Sequence, residues 1–407
     1  MNIFGFEFNR NVKTPIVETK MEFHSYGDYY TNGRGSDLLS KPWIETYSGN
    51  GYVRFGPGNL FPQEIDSLYN TSGLHSAIID FKKNLICGNG FELKGSELLD
   101  PMKKVELSQF INFISGDGDL NNLLLEITLD WLLHNTVYLK LYWNSTKSKL
   151  IKVERLQPSS VRLNPDPTNP SKILKYSYSF DWREYGRYQV KEYPNFNRSD
   201  KEQKVEVIRY VKKNPETKFY TLPDYIPGKE WIQLDGNIGN FHNSNLKNSV
   251  NPGMIFQFHK IPDTREDQRS IIKSVQDAIG PERTGKPTIL WANGPENAPT
   301  ITPVATSNLD KQFIVTGEQA SLNICYSHKI SPSVMGLPVP KGFGDGDIDI
   351  SFEIFNKQSI QPEQRQIEAI INGLLSMSGI GSTFVLNEVE LYTKKEEVIE
   401  KVLGFIQ

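Results

Sequence analysis

The sequence predicts an α+β protein whose hairpin-rich first half gives way to a helical second half. Three observations carry this. Segments between residues 135 and 260 alternate apolar and polar side chains at the strand period. Helical periodicity first appears over 74–85 and dominates from residue 263 onward. Gly and Pro clusters punctuate the boundaries between segments.

In chain order, residues 1–60 are rich in Gly, Tyr, Asn and Ser with little periodicity and read as an extended arm or a lightly structured entry segment. Order is expected from Phe61-Pro62. Leu74, Ala77, Ile78, Phe81 and Leu85 fall on one face of a helix capped near Ser72 and stopped by Gly88-Asn89-Gly90, after which "FEL" starts a strand. Asp119, at the end of "GDGD", is placed to cap a second helix carrying Leu120, Leu123, Leu124, Ile127 and Trp131. "NTVYLKLYW" follows as a half-buried strand, and Asn144-Ser145-Thr146 turns the chain into "KLIKVERL". Pro158, Pro165, Pro167 and Pro170 punctuate a loop. Short strands are then expected in "ILKYSYSF", "KVEVIRYV", "KFYTL" and "MIFQFHK".

Past Ile261 the character changes. Thr264 and Asp267 resemble a capping box for a helix over 263–279, striped with Ile271, Ile272, Val275, Ala278 and Ile279. A short Pro-rich β-like insert follows. Ser307 then caps a helix carrying Leu309, Phe313, Ala320 and Ile324, with His328 and Lys329 giving positive charge to its carboxyl end. After a Pro/Gly loop, Phe352, Phe355, Ile360, Ile367, Ile370, Ile371, Leu374 and Leu375 form a long stripe broken by Pro362, where a missing N–H kinks a helix. Gly379–Gly381 ends it, "TFVLNEVEL" reads as a strand, and "KKEEVIEKVLGF" as a last helix.

Composition excludes several classes. The 407 residues suffice for a sizeable core, and 23% charged residues with a net charge of −3 fit neither extensive disorder nor a polyanion-clamping surface. No membrane-length apolar run and no signal-peptide pattern is present. Cys87 and Cys325, far apart, give no disulfide or zinc framework and fit a reducing compartment. Asn70-Thr71-Ser72 and Asn144-Ser145-Thr146 are chance glycosylation matches.

The chemical motifs fail on their flanks. "GPERTGK", 280–286, matches the start of a phosphate-binding loop, but Pro287 replaces the Ser/Thr, a helix precedes it and a strand follows. Histidines 24, 75, 134, 242, 259 and 328 are scattered without ligand spacing and read as packing or surface residues. "YSHKISPS" lacks a nucleophile elbow. "GFGDGDIDISFE" suggests calcium, yet an EF-hand counted from Asp345 meets Ile350 where Gly is required and Asn356 where Glu is required. Asp345, Asp347 and Asp349 also lack a partner that would split their acidities for catalysis. Asp347 or Asp349 reads as a helix cap. No catalytic residue, cofactor or metal is expected.

The order of elements carries more than any motif. "ICYSHKISPSVMGLPVPKGFGDGDIDISFEIFNKQSIQPEQRQIEAIINGLL", residues 324–374, contains a helix end, the Pro332–Gly336 turn, the Gly-rich Lys341–Gly346 loop and the Ile360-Gln361-Pro362 break. With "LYNTSGLHSAIIDFKKNLICGNGFEL" and "RLQPSSVRLNPDP" upstream, the chain from about 61 to 390 resembles the portal proteins of tailed double-stranded-DNA bacteriophages. The resemblance implies a portal-type fold with an N-terminal arm over 1–60 and an α+β wing over 61–260. It implies a two-helix stem over 261–280 and 306–328 around a small β-containing clip over 281–305. A channel loop over 329–350 and a long proline-kinked helix with a short crown over 351–407 complete it. The first sixty residues have no clear counterpart in the family, and the tail after the long helix is short.

The same resemblance implies a homo-oligomeric ring, usually of about twelve copies, at one capsid vertex of the virion, assembled in the host cytoplasm. Its partners would be the terminase large subunit, a head-completion adaptor, and the major capsid or scaffold protein. Double-stranded DNA would pass through without sequence specificity, and no membrane is involved. Lys341, Asp345, Asp347 and Asp349 would belong to the channel loop, Arg265, Arg269 and Lys273 to the polar stem face, and Pro362 to the helix kink. A conduit must let a polyanion slide, whereas a binder gains affinity by counterion release to Lys and Arg. The slightly acidic chain has no long basic run, which fits a conduit. A non-channel capsid or tail-adaptor subunit is the alternative. A packaging ATPase or nuclease is disfavoured, because it would need a complete phosphate loop or clustered carboxylates.

Overall fold

The computed structural model describes residues 43–49, 51–115, 118–183, 188–248, 255–258, 262, 264–279, 288–291, 309–338 and 348–389. Order begins before Phe61. β1 (Glu45–Tyr47) and β2 (Val53–Phe55) form an antiparallel hairpin within the expected arm. Strands this short carry no readable periodicity. Their hold is long-range: the Glu45 carboxylate accepts backbone N–H bonds from Lys218, Phe219 and Tyr220 at 2.8, 3.0 and 2.7 Å. Those bonds also explain why "KFYTL" is not a strand, since its amides are spent on a carboxylate.

α1 (Phe61–Thr71) and α2 (Gly73–Cys87) follow, and Ser72 Oγ caps α2 by accepting from the His75 amide at 3.2 Å. β3 (Phe91–Lys94) leads to α3 (Pro101–Phe113), capped by Asp100. α4 (Leu120–His134) is capped by Asp119 as its sequence predicts, with the Asn122 amide donating at 2.9 Å. Then come β4 (Thr136–Trp143), β5 (Leu150–Leu156), β6 (Val161–Pro165), β7 (Ile173–Tyr178), β8 (Lys191–Pro194) and β9 (Val205–Val211). β6 occupies the span read as a proline loop. Pro158 opens a single 3-10 turn and Pro165 closes the strand, so neither proline interrupts it.

β1, β2 and β4 to β9 form two antiparallel sheets, ordered β5-β4-β9 and β1-β2-β6-β7-β8. β4 is central in the first, with Leu139 opposite Arg155 on one side and Ile208 on the other. Its outer face is not solvated, contrary to the half-buried reading. Tyr138 is buried and packs edge-on to Tyr176 of β7, ring centroids 5.7 Å apart. β6 carries Arg162, wholly buried on the face turned away from Tyr138. Its guanidinium donates to the side-chain and main-chain oxygens of Asn59 at 2.6 and 2.5 Å and to the Ser159 and Val161 carbonyls, beneath Trp182. A buried cation so completely hydrogen-bonded fixes how the hairpin and α1 dock on β6.

α5 (Lys229–Asn248) has no counterpart in the sequence reading. Its polar, glycine-containing sequence gives little periodicity, and it is held by the buried Ile232 and by Lys229 Nζ, 2.6 Å from Glu64. β10 (Ile255–Phe258), α6 (Arg265–Ile279) and β11 (Thr288–Trp291) form a unit in which the two strands pair in parallel, Ile255 opposite Thr288. The strand at 255–258 therefore belongs with the insert and not with the preceding antiparallel sheets. α7 (Leu309–Ser327) follows. α8 (Ile348–Phe355), a π-helical turn over Asn356–Ile360 and α9 (Gln361–Met377) run on as one long helix, and β12 (Thr383–Leu386) pairs with β3. α9 closes with Gly379 at φ 73° and the Ile380 amide on the Leu375 carbonyl, the left-handed stop that glycine accepts freely.

One core unites these layers. Ile78, Ile79 and Ile86 of α2, Leu124 and Ile127 of α4, Leu139 and Leu141 of β4, and Ile367, Ile371 and Leu374 of α9 are all buried. The long C-terminal helix is thus part of the N-terminal core. The final helix expected in "KKEEVIEKVLGF" and the cap expected at Ser307 lie outside the described residues.

Candidate functional site

α2, α4, the end of α7 and the π-turn of the long helix converge on one polar junction, enclosing a cavity of about 140 Å³. α7 reaches it by a close approach: a Cβ at Gly228 would lie 2.3 Å from the Ser327 hydroxyl. The helix stops with Lys329 at φ 57° and the Ile330 amide on the Cys325 carbonyl.

His328 is not the cation expected at this helix end. It is buried and stacks on Tyr225 at 5.0 Å, and its Nε2 lies 2.8 Å from Nδ1 of His75. Burial, then the nearby Lys82 ammonium, pulls the pKa of His75 down to about 3; burial, Lys82 and His75 hold that of His328 well below 6.5. Both rings are neutral at pH 7. His75 Nε2 has no partner among the described residues. The tautomer in which His75 Nδ1–H donates to His328 therefore leaves only a lone pair there, the cheaper omission. The positive charge at the end of α7 comes instead from α2: Lys82 Nζ donates to the His328 carbonyl at 2.7 Å. Burial pulls Lys82 down to about 8, with Glu363 and Asp224 opposing it.

Across the cavity Lys212 Nζ lies 2.8 Å from both Asp224 and Glu363, and Glu363 accepts the Trp131 indole N–H at 2.6 Å. Asn135 Nδ2 and Lys329 Nζ complete the Asp224 carboxylate at 2.8 and 3.4 Å. Glu363 stands in the first turn of α9, directly after Pro362. The Gln361 amide bonds the Asn356 carbonyl, five residues back, so the helix is widened just where Pro362 has no N–H to give. This network ties the beginning of α9 to α4 and β9. It holds no arrangement for catalysis: the carboxylates are saturated by lysines, and among the described residues no group of three His, Cys, Asp or Glu is placed to hold a metal ion.

The sequence-predicted residues are distributed as follows. Arg265, Arg269 and Lys273 are exposed along one side of α6, and Thr264 Oγ accepts the Asp267 amide at 3.1 Å, the predicted cap. Asp349 is exposed in the first turn of α8, inside the helix and not at its cap. Lys341, Asp345 and Asp347 lie outside the described residues, as does the phosphate-loop-like "GPERTGK", although α6 precedes that stretch and β11 follows it. Sequence reasoning missed Lys82, Lys212, Asp224 and Glu363. No local signal could have found them, because their partners stand on other elements; Lys82 and His328 are 246 residues apart.

The family model described as "Phage portal protein" matches residues 121–402. No curated protein matches the chain. Among solved structures, it is similar to a chain of "Virion of native gene transfer agent (GTA) particle", at 13% identity and TM-score 0.54, covering 85% of this chain and 89% of that one. It is also similar to a chain of "Neck of native GTA particle computed with C12 symmetry", at 14% identity and TM-score 0.54, covering 89% and 91%.

Proposed function

Because the chain belongs to the phage portal protein family, we propose that it assembles as a ring at one capsid vertex, through which double-stranded DNA enters and leaves. The family match over residues 121–402 is the observation that carries this reading. The likeness of the fold to a neck particle of C12 symmetry supports a ring of about twelve copies. The role is structural, not enzymatic.

Within that ring α1 to β9, with their two sheets, serve as the wing, and α6 and α7 as the stem. At 15 and 19 residues the stem helices span about 22 and 28 Å. β10 and β11 belong with the clip, and the ring docks the terminase large subunit during packaging and the head-completion adaptor afterwards. The wing faces the major capsid or scaffold protein. Residues 329–350, with Lys341, Asp345, Asp347 and Asp349, serve as the channel loop that leads from α7 into α8. Repeated around the ring, their carboxylates repel passing phosphates at contact range, since screening acts over about 8 Å at physiological salt. The basic row on α6 gives the stem a polar face. The junction around Glu363 and Lys82 anchors stem and long helix to the wing.

Electron microscopy of the purified protein tests the reading. Rings with a central hole are expected, and a compact monomer at high concentration would refute it.

A further inference from the structure

α3 carries an apolar flank that lies open. Leu107, Phe110 and Ile114 turn inward and are buried. Met102, Val105 and Phe113 fall within about 80° of one another on a different side of the helix, at about 100° per residue. They are 79%, 58% and 66% exposed, and Leu98, in the turn leading into the helix, is 85% exposed. Gln109 stands between Val105 and Phe113, so the flank carries no charge, and Glu106 at its border is held by Lys149 at 2.8 Å. These side chains offer roughly 500 Å² of apolar surface, a size at which a patch marks a contact and not scatter.

We infer that this flank seats the chain's own C-terminal segment, residues 395–406. The inference goes beyond the portal reading and holds whether or not a ring forms. In "KEEVIEKVLGFI" Val398, Ile399, Val402, Leu403 and Ile406 recur at i, i+1, i+4, i+5 and i+8, the apolar side of a helix whose other side carries Glu397, Glu400 and Lys401. A helix of about twelve residues is marginal alone in water, so such a stripe needs an apolar partner. The segment sets out from a fixed point. The Asn387 amide donates to the Gly90 carbonyl at 3.0 Å and Asn89 Nδ2 to the Glu388 carbonyl at 2.7 Å, which pins the chain beside the start of β3. The far end of β3, with Lys94 opposite Thr383, lies by the start of α3, where Lys103 Nζ donates to the Gly379 carbonyl at 3.1 Å. β3 covers about 13 Å in four residues. Residues 390–394 reach about 17 Å, enough to return along it. Twelve helical residues measure about 18 Å, against about 20 Å for the thirteen of α3. An uncharged seat accepts the apolar stripe and leaves the glutamates and lysines of the segment in water.

The test is amide hydrogen exchange of the full-length protein, comparing wild type with Val402→Glu/Leu403→Glu and with the charged-side control Glu397→Gln/Glu400→Gln. Amides of α3 are expected to exchange at least tenfold faster in the glutamate variant, with α4 unchanged and the control like wild type. Unchanged α3 exchange in the glutamate variant would overturn the inference. A photo-crosslinking residue at position 105, in an otherwise native chain and a mixture of isotopically light and heavy copies, reads the occupant directly. Products joining it to residues 395–406 of the same copy are expected. Products only with a second copy, only with another protein, or none at all would overturn the assignment.

Discussion

Acidification should loosen the junction that joins α2 to the end of α7, and the size of the effect follows from two rings. His75 and His328 are neutral in the folded chain, because burial and Lys82 hold His75 down at about 3 and His328 well below 6.5. Tyr225 packs against both rings, and Asp224 and Glu363 line the adjoining cavity, already engaged by Lys212. On unfolding, each histidine returns to about 6.5. Below that pH the unfolded chain binds more protons than the folded one, so stability is intact at pH 7 and falls with pH down to the folded values. At pH 5, about 1.5 units below the unfolded value and at about 1.4 kcal/mol per unit, the His75 ring costs about 2 kcal/mol, and His328 adds to the loss in the same direction. The assay is urea unfolding between pH 5 and 7.5 at fixed protein concentration, for wild type and for His75→Phe, whose ring can keep the stacking on Tyr225. The variant should lose about 2 kcal/mol less than wild type between pH 7 and 5, whatever its stability at pH 7. Identical pH slopes in the two proteins would refute the neutral-pair reasoning.

Other parts of the molecule give independent tests. Asp130, buried and bidentate to Arg155 at 2.7 and 2.5 Å, should cost about 3 kcal/mol in urea unfolding as Asp130→Asn, because the guanidinium loses its only buried counter-charge among the described residues. Asp119→Ala removes the α4 cap and should cost about 1 kcal/mol by the same measurement. Replacing Asp345, Asp347 and Asp349 by Asn should leave ring assembly intact but alter packaging or DNA retention in a particle assay; no change in either would remove the loop charge from the function.

Much of the fold was legible where a local device fixes it. Ser72, Asp119 and Thr264 cap the helices their sequences announce, since a cap needs only its own first turn. β4, β5, β7, β9 and β12 stand where alternation placed them. Other elements depended on distant partners. α3 hides its periodicity, because Leu107 and Phe110 are buried while Met102, Val105 and Phe113 are exposed, leaving it apolar around its circumference. β1 and β2 are three residues each, too short to alternate, and become strands through Glu45 and the pairing of Val53 with Leu163. α5 takes its order from Glu64 and Ile232 against the drift of its own sequence. At the junction the same limit is sharper. His328 was legible as a helix end but not as a neutral one, because the burial that strips its proton is supplied by α2 and Tyr225.

The long helix joins these two kinds of information. Its buried residues step by three or four from Ile360 through Gln364, Ile367, Ile371 and Leu374, but by five from Phe355 to Ile360. An uninterrupted α-helix would carry positions five apart to different faces. The π-turn over Asn356–Ile360, bonded from Gln361 back to Asn356, absorbs the extra residue and returns both halves of the stripe to the core. Pro362 makes the widening cheap, since it has no amide to donate and its ring would crowd the Gln358 carbonyl in a regular helix. Gln358 and Ser359 accordingly line the cavity beside Lys82 and Glu363. The phase of this one turn sets two orientations at once. It keeps Phe352 and Phe355 against the core, and so presents Ile350 and Ile354 to whatever stands on the other side of α8.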